Sequence, residues 1–159
     1  MKTLIVYYSY DGNSALVAEE LKKLTDADIL ELKTKDEKVR TGFAKYAWGG
    51  TQVFTHAHPK LKPYTVIIEE YDRIIIGGPV WAGSPAPALQ SFIAKTKISG
   101  KKLGLFICHG GGKGKAMDTF KALLSGNTIA AEIDFVNPAK QDRAAVAKQI
   151  ADWVGTFPD

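Results

Sequence analysis

An α/β domain with a doubly wound, five-stranded parallel sheet is the architecture this sequence predicts, and three observations predict it. Strand-like and helix-like stretches alternate along the chain, the pattern of a parallel sheet covered by helices on both faces. Leu4-Ile5-Val6-Tyr7-Tyr8, Ile74-Ile75-Ile76 and Leu105-Phe106-Ile107-Cys108 are continuously apolar, as strands buried on both faces are. Two further stretches alternate instead: Leu30 and Leu32 with Glu31 and Lys33, and Ile129, Ala131, Ile133 and Phe135 with Glu132 and Asp134. Alternation marks those two as edges. The strand order 2-1-3-4-5 satisfies all three observations and puts a ligand-binding switch point between the carboxyl ends of strands one and three.

Taken in order, the strands are predicted near 2–8, 28–33, 72–77, 102–108 and 129–136, and the helices near 13–24, 85–95, 114–124 and 140–155. The last helix carries Val146, Ile150, Trp153 and Val154 at helical spacing, a stripe for the core. Residues 36–65 break the alternation, since a short helix would suffice between strands two and three. This elaborated segment holds Phe43, Tyr46, Trp48, Gly49, Gly50, His56 and His58 and ends in a proline-marked stretch from Pro59 to Pro63. It reads either as a helix with a surface loop or as a flap whose aromatics cover a ligand at the sheet's end.

At 159 residues the chain fits one domain, 1–159, with enough length to bury a core without disulfides or structural metals. No apolar run approaches the roughly 18 residues of a membrane span, and the apolar stretch at the N-terminus is too short for a signal peptide. The one cysteine, Cys108, makes a reducing cytoplasm the expected compartment. A net charge of +4 favours encounters with acidic partners or anionic cofactors. Nucleic-acid binding is not indicated, because the lysines are interspersed with acids and no basic run carries aromatics.

Three loops follow the predicted central strands at one end of the sheet. Ser9-Tyr10-Asp11-Gly12-Asn13-Ser14 leads straight into a helix, which suits either phosphate binding at the helix's positive end or a plain turn capped by Asn13 or Ser14. Gly77-Gly78-Pro79-Val80-Trp81-Ala82-Gly83 holds a tryptophan among glycines and a proline beyond a buried strand, a ring suited to stacking on a flat ligand. His109-Gly110-Gly111-Gly112 reads either as a flexible turn or as backbone that approaches a ligand closely. Neither a dinucleotide fingerprint nor a phosphate loop is present: the first loop lacks the three glycines, and Ala116 replaces the Ser or Thr that a phosphate loop needs after Lys115. His56 and His58 could face one side of a strand, but no third metal ligand is nearby, so no metal is expected. Cys108 is expected to pack at the end of its strand.

Through these three loops the chain resembles the flavodoxin family over essentially its whole length. The resemblance implies a flavodoxin-like fold and FMN as cofactor. By it, Ser9, Tyr10, Asp11, Gly12, Asn13 and Ser14 would hold the FMN phosphate. Pro79, Val80, Trp81, Ala82 and Gly83 would flank the flavin ring on one side, with His109, Gly110, Gly111 and Gly112 facing it from the other. It further implies an FMN-binding redox protein, either an electron carrier to a partner protein or an oxidoreductase that reduces a small acceptor such as a quinone, with no side chain expected as a catalytic acid, base or nucleophile. Asp11 stands where flavodoxins usually have Thr or Ser, and an ionised carboxylate cannot donate a hydrogen bond to phosphate. That departure carries the alternative expectation, a flavodoxin-fold binding module with a weakened or lost FMN site that acts through protein partners.

Overall fold

The structure is a computed structural model that describes residues 1–35, 44, 47, 48, 50, 51 and 58–158. Among these, parallel strands β1 (Thr3–Tyr8), β2 (Asp28–Leu32), β3 (Arg73–Trp81), β5 (Lys102–His109) and β6 (Thr128–Val136) pair in the order β2-β1-β3-β5-β6. This is the expected 2-1-3-4-5 arrangement with the alternating strands at the edges. A short strand β4 (Ser84–Pro85) pairs antiparallel with the end of β3. Helices α1 (Asn13–Thr25), α2 (Pro87–Thr96), α3 (Ala116–Leu123) and α4 (Arg143–Val154) cover the faces.

Because successive strand residues point to opposite faces, the continuous apolar runs split between two cores. Leu4, Val6, Tyr8, Ile74 and Ile76 pack with Leu89 and Phe92 of α2 and Phe120 of α3. Ile5, Tyr7, Ile75, Phe106 and Cys108 pack with Val17 and Leu21 of α1 and Val146, Ile150 and Trp153 of α4.

Two local expectations need correction. β3 does not stop at Gly77 but runs on to Trp81, so Trp81 ends a strand and does not sit in a loop beyond it. Pairing with β1 ends at Gly77, and the Pro79 carbonyl then accepts from Ala86 N at 3.0 Å. The ring nitrogen therefore faces the side where no ladder bond is required, and a proline is tolerated inside the strand. Neither Asn13 nor Ser14 caps α1: the cap position is Gly12, without a side-chain cap of its own. The Ser9 hydroxyl oxygen takes over, accepting from Gly12 N and Ala15 N, each at 3.2 Å. At the other end of the chain Pro138–Lys140 forms a 3-10 turn, and α4 begins only after Asp142, whose carboxylate accepts from Ala145 N at 2.9 Å.

Candidate functional site

The carboxyl ends of β1, β3 and β5 converge as the strand order requires, and each contributes one wall. The first loop is held by its own side chains. Beyond the Ser9 bonds, the Asp11 carboxylate accepts from Asn13 N at 3.4 Å and from the Asn13 side-chain amide at 3.1 Å. Asn13 Oδ1 in turn accepts from Ala139 N at 2.9 Å, which ties the loop to the turn before α4. Ser14, in the first turn of α1, is buried, and its Oγ has no partner beyond a contact with the Cys108 thiol. A buried hydroxyl in that condition is costly unless something else satisfies it.

The second wall is the β3–β4 hairpin. Val80 pairs with Pro85 and Trp81 with Ser84, which leaves Ala82 and Gly83 as a two-residue turn. Both have positive φ, 48° and 71°, the primed turn that matches strand twist. Ala82 accepts that conformation without being glycine, a strain that fixes where Trp81 sits. The Trp81 ring meets Tyr8 edge-on at 5.8 Å, Tyr10 at 5.6 Å and Trp48 at 5.2 Å between centroids. Trp48 also lies 5.8 Å from Tyr10. The elaborated segment thus delivers an aromatic to this end of the sheet through Trp48. Phe43, Tyr46, Gly49 and His56 lie outside the described residues, and His58 is exposed on the surface.

The third wall follows β5. His109 uses both ring nitrogens: Nδ1 accepts from Gly111 N at 3.0 Å, so Nε2 carries the proton and donates to Asp134 Oδ2 at 2.8 Å. Asp134 also pairs with Lys113 Nζ at 2.7 Å. The Lys113 ammonium first, and His109 second, hold the Asp134 carboxyl below the usual aspartate range. Gly111 adopts φ 117°, a region open to glycine, which is how its N–H turns back onto the imidazole.

Between the walls lies a cavity of about 390 Å³. It brings together Asp11 and Asn13 of the first loop, Pro79, Val80, Trp81 and Ala82 of the hairpin, and His109 and Gly110 after β5. Ser9, Tyr10, Gly12, Ser14, Gly83, Gly111 and Gly112 do not line it. Gly50, Cys108 and Asn137 do, and of these Asn137 was missed by sequence reasoning. Its signal was Asn-Pro after an edge strand, and the residue sits at φ 43° with its N–H donated to the His109 carbonyl at 2.9 Å. Burial pushes the Cys108 thiol up to about 12, with the Asp11 charge acting the same way and the Ser14 hydroxyl opposing. Among the described residues no cluster of His, Cys, Asp and Glu could hold a metal, and no helix is long and apolar enough to cross a membrane.

Solved structures share this fold. A flavoprotein from Lactobacillus acidophilus NCFM in complex with FMN is 22% identical, with a TM-score of 0.72 over 96% of this chain and 98% of that one. An NADPH-quinone reductase from P. pentosaceus is 12% identical, with a TM-score of 0.65 over 100% of this chain and 99% of that one. Oxidised flavodoxin 2 from Bacillus cereus is 16% identical, with a TM-score of 0.59 over 99% of this chain and 97% of that one. No curated protein sequence matches the chain. The flavodoxin family model matches residues 2–156, nearly the whole length. With the strand order, the three converging loops and this match in agreement, the chain belongs to the flavodoxin family.

Proposed function

We propose that the cavity holds FMN, the cofactor of the flavodoxin family, and that the protein passes electrons to a partner protein or a small acceptor such as a quinone. The observation that carries this reading is the cavity itself: three loops from three strands meet around about 390 Å³ with an indole in one wall, within the usual size of a cofactor pocket. The residues fit the group. Asn13 of the first loop lines the cavity at the amino end of α1, where helix polarity favours an anion. FMN, when bound, supplies reversible one- and two-electron chemistry, which no side chain of this cavity provides.

The protein's part is to bind, orient and shield. Trp81, held by edge contacts with Tyr8, Tyr10 and Trp48, offers an aromatic wall to the cavity. On the facing side Gly110, next to the His109 ring pinned through Asp134, presents backbone without bulk. Both the Lactobacillus flavoprotein and the quinone reductase support this reading, one by its complex with FMN and the other by its named activity. A cytoplasmic setting and a single domain belong to the same proposal, in keeping with one cysteine and 159 residues.

Asp11 supports a second reading, a binding module whose FMN site is weakened, because its carboxylate lines the cavity. A carboxylate about 4 Å from the phosphate would cost on the order of 4 kcal/mol at an effective dielectric near 20. Its bonds to Asn13 turn part of that charge into its own loop. Thermal shifts with FMN and with riboflavin decide between the readings. FMN should raise the melting temperature well beyond riboflavin, and Asp11→Thr should tighten FMN, more so at low salt. Equal shifts from the two ligands would remove the phosphate role of the first loop, and no shift from either would leave the binding module.

A further inference from the structure

Away from the cavity, the face built on α2 carries a concentration of positive charge that no carboxylate among the described residues offsets. Two hollows flank Ala94, and both Ala94 and His58 line each of them. The larger, about 480 Å³, is rimmed by Lys35, Lys60 and Lys95 over Pro59 and Leu61. The smaller, about 330 Å³, reaches Lys97 over Ile93, Ile98 and Leu123. All four lysines are exposed. None has a carboxylate within ion-pair distance among the described residues, whereas Lys2, Lys23, Lys33, Lys113, Lys121 and Lys148 each do. Nor does any described Asp or Glu line either hollow.

A solvated helix face interleaves its signs, as α4 does with Lys148 and Asp152 at 2.6 Å. Among the described residues the α2 face has one sign around an apolar floor, the anatomy of an interface core with a charged rim. Leu123, 39% exposed, belongs to that floor. The Lys95 ammonium lies 5.1 Å over the Tyr64 ring, itself in a tilted contact with Phe92, so that the described aromatic of this face is already engaged by the lysine. This favours a protein over a nucleic acid.

The face also joins the redox end of the molecule. Gln90 lines the smaller hollow, and its Nε2 donates to the Pro85 carbonyl at 2.8 Å and to Ser84 Oγ at 3.3 Å. Those two residues form β4, the strand that holds Trp81. Gln90 thus links the smaller hollow to the hairpin that walls the cavity.

We infer that the α2 face docks an acidic protein partner, one that presents Asp and Glu around a small apolar patch and exchanges electrons with the cavity. This rests on the FMN redox reading above, and the experiment keeps the two apart. Holoprotein is titrated against a fluorescein-labelled peptide of alternating Glu and Leu, followed by anisotropy, at 50 and 300 mM salt. The variant Lys95→Glu/Lys97→Glu is compared with a charge-matched control, Lys22→Glu/Lys148→Glu, on α1 and α4. The face variant should bind at least tenfold more weakly while the control stays within twofold, and the parent should weaken at the higher salt. Equal losses in both variants, or none in either, overturn the docking surface. A single-stranded oligonucleotide that binds tighter than the peptide, and is lost only in the face variant, overturns the choice of a protein partner. The flavin absorbance of all three proteins is read in parallel. Absence of flavin from all three counts against the redox reading, and the peptide titration still decides the docking surface.

Discussion

Two glycine pairs stand at the same end of the sheet and are there for opposite reasons. A Cβ at Gly77 would lie 2.2 Å from the Phe106 ring, and one at Gly78 would lie 2.7 Å from Leu89 and 3.1 Å from the Tyr8 carbonyl. At Gly111 and Gly112 a Cβ would meet nothing within 4 Å. The first pair is glycine because core elements close over it, and the second lies in the open turn that follows β5. Glycine before a binding site is therefore two different signals, separable only by what packs on it.

The widest separation between the pairs should come from Gly77→Ala. Phe106 is fully buried and cannot yield without displacing its own neighbours, so about 3 kcal/mol of stability should be lost, a fall of roughly 6–12 °C in melting temperature. A variant that melts with the parent would mean that the two pairs do not differ in kind. Next comes Gly111→Ala, where φ 117° is strained for any side chain although space is open. It should cost about 1–2 kcal/mol and weaken FMN, because the turn can no longer hold its N–H on His109. Chemical denaturation beside an FMN titration checks both effects.

Asp134→Asn tests the anchor of the second pair. Lys113 and His109 depress the folded-state pKa of Asp134, so its contribution exists above the unfolded value, near 4, and fades as pH falls through the lower folded one. The side chain is a third exposed, so the loss at neutral pH should stay under about 1 kcal/mol after screening. Stability profiles of parent and variant should differ at pH 7 and merge in acid. A constant gap down to pH 2 would refute the ionic part of the anchor. Smallest of all, Gly112→Ala should change stability by no more than about 0.5 kcal/mol, read from the same denaturation curves.

The sheet order was legible because burial on two faces leaves a mark in a single strand: Ile74-Ile75-Ile76 has no polar alternate, whereas Leu30-Glu31-Leu32 has one. The reach of β3 was not legible. Gly77-Gly78-Pro79 punctuates the chain by every local rule, and only the end of β1 pairing and the Ala86 bond make a strand there affordable. The cap of α1 was hidden similarly, since Ser9 acts on Ala15 six residues onward, beyond the span of capping motifs. In the elaborated segment the aromatics fitted a surface loop as well as a cover over the site. That Trp48 would be the ring on Trp81 depends on tertiary placement that no spacing in 36–65 encodes.

Cys108 lines the cavity wall yet is 3% exposed, with its thiol pushed up to about 12. Burial thus disfavours the thiolate that alkylating agents and peroxides attack. In the folded protein the thiol is shielded by that burial. Once the chain opens, that protection vanishes and the thiol reacts at an ordinary rate. The lone cysteine is thus a built-in clock for unfolding, readable with a thiol dye and no added label.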